Sequence, residues 1–169
     1  LARRIRDVQV MGVDLSEEML AVARRKVEAR GLDSRIVLER GDAEHLEVAD
    51  ASVDAATVAF GVRNFGDLAA GLRELARTIR PGGKVVILEF SRPRNRVFRA
   101  LYEFYSYKIL PRLGGLVSRD KRAYEYLPAS VGEFPAPAEF LGMMEKAGFR
   151  NCRAKSQSCG IAQIYIGER

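Results

Sequence analysis

The chain has 169 residues, 47% of them apolar, a net charge of +6 and a single histidine. That length suits one domain, and the apolar fraction suffices for a core. No run approaches about 20 apolar residues, so no membrane-spanning helix is expected, and Leu1–Arg6 lacks the apolar centre of a signal peptide. Two cysteines, Cys152 and Cys159, make neither a disulfide framework nor a four-ligand zinc site. They are expected to stay reduced, in the cytoplasm. Of the 28 basic residues six are lysines and the rest arginines. Such a surface favours anionic partners. A nucleic-acid reading would rest on charge alone, because no recognition motif accompanies it.

The apolar run Val8–Val13 predicts a short buried strand. Ser16-Glu17-Glu18 then opens a helix, with Ser16 as cap and the two acids facing the positive helix end. Met19, Leu20, Ala23 and Val27 form its expected apolar stripe, and Gly31 closes it. Arg35–Arg40 predicts a second strand, followed by the turn Gly41-Asp42-Ala43-Glu44. Val53–Phe60 reads as a third strand and Leu68–Ile79 as an amphipathic helix. Pro81-Gly82-Gly83 is expected to turn the chain into a fourth strand, Lys84–Phe90. No helix start follows these glycines, which argues against a phosphate cradle. This alternation predicts an α/β fold with a mostly parallel sheet and helices on both faces.

From Asn95 to Val117 the pattern becomes dense and aromatic, then breaks at Pro111 and Gly114-Gly115. Ala138–Ala147 predicts a helix closed by Gly148. Phe149–Ser156 and Ile161–Gly167 predict a terminal antiparallel hairpin. His45 sits in a polar turn with no metal-ligating neighbour and reads as a solvated loop residue.

Open α/β sheets bind ligands at the carboxyl ends of their strands. The first such end carries Asp14, a carboxylate suited to accept from both hydroxyls of a nucleoside ribose. The second carries Asp42 and Ala43. Asp42 can accept from an exocyclic amine of adenine while the Ala43 N–H donates to a ring nitrogen; it can equally cap its own turn. The two acids lie roughly 28 residues apart, one βαβ unit. The third end is Ala59-Phe60-Gly61-Val62-Arg63-Asn64, and the fourth, Glu89-Phe90-Ser91, places another carboxylate beside the same crevice.

Taken together, Gly12-Val13-Asp14-Leu15-Ser16, Gly41-Asp42-Ala43-Glu44, Phe60-Gly61-Val62-Arg63-Asn64, Arg80-Pro81-Gly82-Gly83-Lys84 and Leu88-Glu89-Phe90-Ser91 resemble the class I S-adenosylmethionine methyltransferases. More closely they resemble the ubiquinone/menaquinone biosynthesis C-methyltransferases. The resemblance continues through Tyr102–Ser106, Leu110–Gly114, Tyr124–Ser130 and Ala147-Gly148-Phe149. It implies a Rossmann-like fold, S-adenosyl-L-methionine as cofactor, no metal, and C-methylation of a prenylated quinol. It assigns Asp14, Leu15, Asp42, Ala43, Ala59 and Phe60 to the cofactor. Arg63, Asn64, Tyr105 and Tyr126 fall to the substrate, with Arg63 as the catalytic candidate. An arginine stays protonated in proteins, so orienting a water or stabilising a phenolate suits Arg63 better than accepting a proton.

One departure stands out. The family's glycine-rich first strand and loop are absent, so the chain is expected to be a single, N-terminally incomplete domain over 1–169, with 95–130 as a substrate lid. The strands ending at Asp14 and Phe60 should then not be neighbours. A prenyl tail implies a membrane surface, with Arg92, Arg94, Arg96, Arg99 and Arg112 facing anionic lipid. Two alternatives stay open: methylation of another small molecule, and a non-catalytic binding relic. Naphthoquinol versus benzoquinol, and the oligomeric state, also stay open.

Overall fold

The structure is a computed structural model that describes residues 7–92 and 130–169. Two compact units divide the chain, Leu1–Val48 and Ala49–Arg169. In the first, strand β1 (Val10–Asp14), helix α1 (Glu17–Glu28) and strand β2 (Ile36–Arg40) form one βαβ turn. The strands are parallel, in register from Val10 opposite Ile36 to Asp14 opposite Arg40. Ser16 caps α1 as expected, its Oγ accepting the Met19 N–H at 3.2 Å. Glu17 and Glu18 lie in the first turn and Arg25 and Lys26 in the last, matching the helix dipole. Leu20 is buried, but Met19 is 59% exposed. Leu20 already faces the sheet, and its neighbour in the first turn points round to solvent.

The second unit holds β3 (Val53–Ala59), a 3-10 turn at Val62–Asn64, α2 (Leu68–Thr78), β4 (Ile79–Phe90), helical residues 130–133, α3 (Pro137–Lys146), β5 (Arg150–Gln157) and β6 (Ala162–Glu168). Its sheet runs β3-β4-β6-β5, with β3 and β4 parallel and the other pairs antiparallel. The terminal hairpin is therefore as expected, and β1 and β3 belong to separate sheets. The core gathers Leu72 and Leu75 of α2, Val85 and Ile87 of β4, Phe140 and Met144 of α3, and Tyr165 of β6, all buried. Phe140 meets Tyr165 edge-on at 4.6 Å, a pairing worth about 0.5–1.5 kcal/mol beyond burial.

Pro81-Gly82-Gly83 does not form the separating turn that its composition suggests. Helix α2 passes directly into β4 at Ile79, and these residues sit inside the strand as an irregularity: Val53 pairs with Ile79, but Ala55 with Lys84. The left-handed φ of +83° at Gly82 makes this bulge. A side chain at Gly83 would lie 2.6 Å from the Asp54 carbonyl oxygen. The C-terminal residue stitches the bulge: Arg169 accepts from the Gly82 N–H at 2.7 Å and donates to the Gly83 carbonyl at 3.0 Å. Among the described residues no helix is long and apolar enough to cross a membrane.

Candidate functional site

Within the first unit, the ends of β1 and β2 bring two carboxylates to the same edge. Asp14 closes β1, and its backbone carbonyl accepts from Gly41 N–H at 3.2 Å, which ties it to the residue before Asp42. Adjacent parallel strands lie about 4.8 Å apart, so the two acids are near neighbours. Gly41 permits the close approach, since a Cβ there would meet Val13 Cγ1 at 2.9 Å. Asp14 Oδ1 accepts the Ser16 N–H at 2.8 Å, and Asp42 Oδ1 the Glu44 N–H at 2.9 Å.

Each carboxylate thus caps its own turn, as the plainer reading foresaw for Asp42, yet among the described residues each keeps its second oxygen. Asp14 is exposed and Asp42 half-buried. Leu15, beside Asp14, is 59% exposed. The Ala43 N–H makes no hydrogen bond among the described residues. Two acceptor oxygens, one free donor and an exposed apolar side chain match the donor and acceptor set of a nucleoside: a diol, an amine, a ring nitrogen and a flat base. His45 is exposed, and among the described residues it hydrogen-bonds through its backbone N–H, to the Asp42 carbonyl at 3.1 Å.

The ends of β3 and β4, in the second unit, are built differently. Ala59 ends β3, and Phe60 follows with φ +57°, left-handed geometry that a bulky residue adopts only under constraint. Three contacts hold it. Its N–H donates to the Leu88 carbonyl at 2.8 Å, its ring packs on Phe90 at 4.5 Å, and its carbonyl accepts from Arg63 Nη1. The 3-10 turn then presents Arg63 and Asn64.

Arg63 is the hub of this end. Its Nη1 donates to Glu89 Oε1 at 2.9 Å, its backbone N–H to Glu89 Oε2 at 3.2 Å, and its Nε to Ser130 Oγ at 3.3 Å. The guanidinium also lies 5.5 Å from the Phe90 ring centroid. The Arg63 side chain is 10% exposed and Glu89 fully buried. Glu89 accepts a further N–H, from Phe90, at 2.8 Å. A carboxylate with this many donors can sit in a dry interior, where an unpaired one could not.

The sequence placed Glu89 at a strand end but did not pair it with Arg63. A signal was present: Glu89 is in phase with Val85 and Ile87 on the buried face of β4, and an acid in a core phase needs a cation. Ser130 was missed with no comparable signal. Tyr105, Tyr126, the 95–129 part of the expected lid, Arg94, Arg96, Arg99 and Arg112 lie outside the described residues.

Other features are plainer. A shallow groove of about 250 Å³ between α2 and α3, lined by Ala69, Arg73, Met143, Lys146 and Ala147, offers no carboxylate. Cys152 is half-buried in β5 and Cys159 exposed in the hairpin loop. Burial pushes the Cys152 thiol above its ordinary value, with the nearby Glu145 charge adding to the effect. No metal-binding cluster exists among the described residues.

A model of the ubiE/COQ5 methyltransferase family matches residues 1–169. The chain is 46% identical over 162 residues to the ubiquinone/menaquinone biosynthesis C-methyltransferase UbiE of Geobacter sulfurreducens, covering 96% of this chain and 63% of that protein. It is 45% identical over all 169 residues to the demethylmenaquinone methyltransferase of Thermus thermophilus, covering 76% of it. Among solved structures, a SAM dependent methyltransferase from Aquifex aeolicus superposes with TM-score 0.66 at 19% identity, over 95% of this chain and 69% of that one. An O-methyltransferase family protein from Burkholderia thailandensis gives 0.70 at 20% identity, over 99% and 46%. At such identities the structures speak for the fold alone.

Proposed function

Because the chain belongs to the ubiE/COQ5 methyltransferase family, we propose that its protein transfers a methyl group from S-adenosylmethionine to a ring carbon of a prenylated quinol. The observation that carries this is the Asp14–Asp42 carboxylate pair on adjacent strand ends, in a chain matched to the family from end to end. Relatives named for menaquinone and ubiquinone biosynthesis support the quinol as acceptor.

When bound, the cofactor supplies an electrophilic methyl group on a sulfonium. Asp14 accepts from the ribose hydroxyls through its second oxygen. Asp42 accepts from the adenine amine while the Ala43 N–H donates to the ring. Leu15, Ala59 and Phe60 are assigned to the cofactor on the family pattern alone.

Arg63 is the group we assign to the quinol hydroxyl, with Asn64 beside it. As the hydroxyl proton passes to solvent water, electron density moves into the ring and the carbon becomes nucleophilic; once the carbon is methylated, the ring C–H proton passes to water in turn and restores the aromatic ring. A guanidinium in a buried ion pair serves this step as a fixed positive donor to the developing phenolate, not as a proton acceptor. Stabilising that oxygen and holding the ring carbon in line with the methyl group are the contributions we expect of the protein. We keep the 95–130 segment, with Tyr105 and Tyr126, as the lid over the ring and tail. A membrane surface is the expected source of a prenylated substrate, and binding to anionic vesicles, weakened by salt, tests that.

The direct test incubates the intact protein with methyl-labelled S-adenosylmethionine and demethylmenaquinol. Label in the ring methyl of menaquinol is expected. Label in other small acceptors but not in the quinol would overturn the assignment.

A further inference from the structure

We infer that Glu89 is a positioning residue for this reaction: it fixes Arg63 so that one edge of the guanidinium, Nη2, is the edge left for the substrate oxygen. The inference rests on the methyltransferase reading and deepens it. A guanidinium has five N–H donors. Three are occupied within the unit, Nε by Ser130 Oγ and the two of Nη1 by Glu89 Oε1 and the Phe60 carbonyl. Neither donor of Nη2 has a partner among the described residues. A side chain nine-tenths buried, gripped on three donors and with two left unclaimed by the described residues, is oriented rather than merely tolerated.

Glu89 is the residue that makes this orientation unique. It bonds Arg63 at both the side chain and the backbone N–H, so rotation of the guanidinium breaks a charged bond at 2.9 Å. Its strand position lies in phase with the buried Val85, Ile87 and Ser91, so the fold would tolerate apolar residues here only if both members of the ion pair were replaced together. The same guanidinium pins the carbonyl of the left-handed Phe60, so the ion pair also sets the backbone from which Arg63 and Asn64 project. Supporting groups of this kind hold a reacting donor to within fractions of an ångström.

The test is a kinetic cycle with a spectroscopic arm, on the intact protein. Glu89→Gln is expected to lower kcat about 10- to 100-fold and leave S-adenosylmethionine affinity within about twofold. In an Arg63→Met background the same change should add no more than about a further twofold, because Glu89 acts through Arg63. In the spectroscopic arm, ¹⁵N signals of the Arg63 Nη1 and Nη2 should be resolved in the parent protein and merge in Glu89→Gln as the group begins to rotate. If Glu89→Gln does not fold, Glu89→Asp, which keeps the charge but shortens its reach, should lower kcat with the melting temperature held.

A Glu89→Gln loss of equal size in both backgrounds, an unchanged kcat, or Nη signals that stay resolved would overturn the inference. A parent protein that transfers no methyl group would instead sink the functional reading. The Nη signals would then decide the positioning role by themselves.

Discussion

The two pairs of strand ends solve opposite problems with the same residue type. At the ends of β1 and β2, Asp14 and Asp42 each give one oxygen to a local turn and keep the other available. At the ends of β3 and β4, Glu89 is buried and spends both oxygens on the protein, and it is Arg63 that keeps donors unclaimed among the described residues. A carboxylate at a strand end is therefore not one signal but two. Outside the core, it keeps an oxygen uncommitted to its own turn; in phase with the core, it is an anchor for a neighbouring cation.

The sharpest way to break this contrast is to remove each acid in turn. Glu89→Ala leaves Arg63 buried without its counter-charge, a change that costs about 3–5 kcal/mol. For a chain of this size that lowers the melting temperature by roughly 10 °C, readable by calorimetry. Replacing both partners, as Arg63→Met with Glu89→Leu, should restore most of the stability. If Glu89→Ala melts like the parent, the anchor reading is wrong.

Asp14→Ala should behave in the reverse manner. Its one side-chain hydrogen bond among the described residues is exposed, so stability should change by no more than about 0.5 kcal/mol. Affinity for S-adenosylmethionine should fall roughly 10- to 100-fold, the worth of a charged hydrogen bond or two. Titration calorimetry separates the two quantities. A large loss of stability with unchanged affinity would place Asp14 with the anchors.

Ser16→Ala refines the comparison further. Ser16 shares the first strand end with Asp14, but its Oγ caps α1, so its removal should cost about 1 kcal/mol without a direct effect on cofactor affinity. Chemical denaturation paired with the same titration tells the cap from the ligand-binding acid.

The βαβ order, the helix cap at Ser16 and the acid at the first strand end were all legible, because each rests on local chemistry: apolar runs, a hydroxyl before two glutamates, a strand that stops at a charge. The terminal hairpin was legible for the same reason. What escaped depends on pairing across the sheet. The Pro81-Gly82-Gly83 segment carries every mark of a turn, and only its partners Val53, Ala55 and Arg169 make it a bulge within β4. Arg63 could be named as a site residue from its motif, but its grip by Ser130 spans 67 positions and follows no periodicity. Met19 matched the apolar stripe of α1 and is nonetheless exposed, because a stripe says which residues can face a sheet, not how far the sheet extends.

The smallest expected effect concerns a third carboxylate, Glu168 at the end of β6, which belongs to neither class. It accepts from Asn151 Nδ2 at 2.9 Å and pairs with Lys84 Nζ at 3.4 Å. The Asn151 hydrogen bond first, and then Lys84, hold it below its ordinary value of 4.5. A group whose folded value is depressed contributes stability above its unfolded value and loses that contribution as pH falls through the folded one. The difference in unfolding midpoint between the parent and Glu168→Gln should therefore be present near neutrality, begin to shrink as pH drops through 4.5, and vanish only below the lower folded-state value. Added salt should reduce it at every pH, since the Lys84 contact is largely exposed. A difference that grew on acidification would mean that Glu168 is better accommodated protonated, which would align it with neither the exposed acceptors nor the buried anchor.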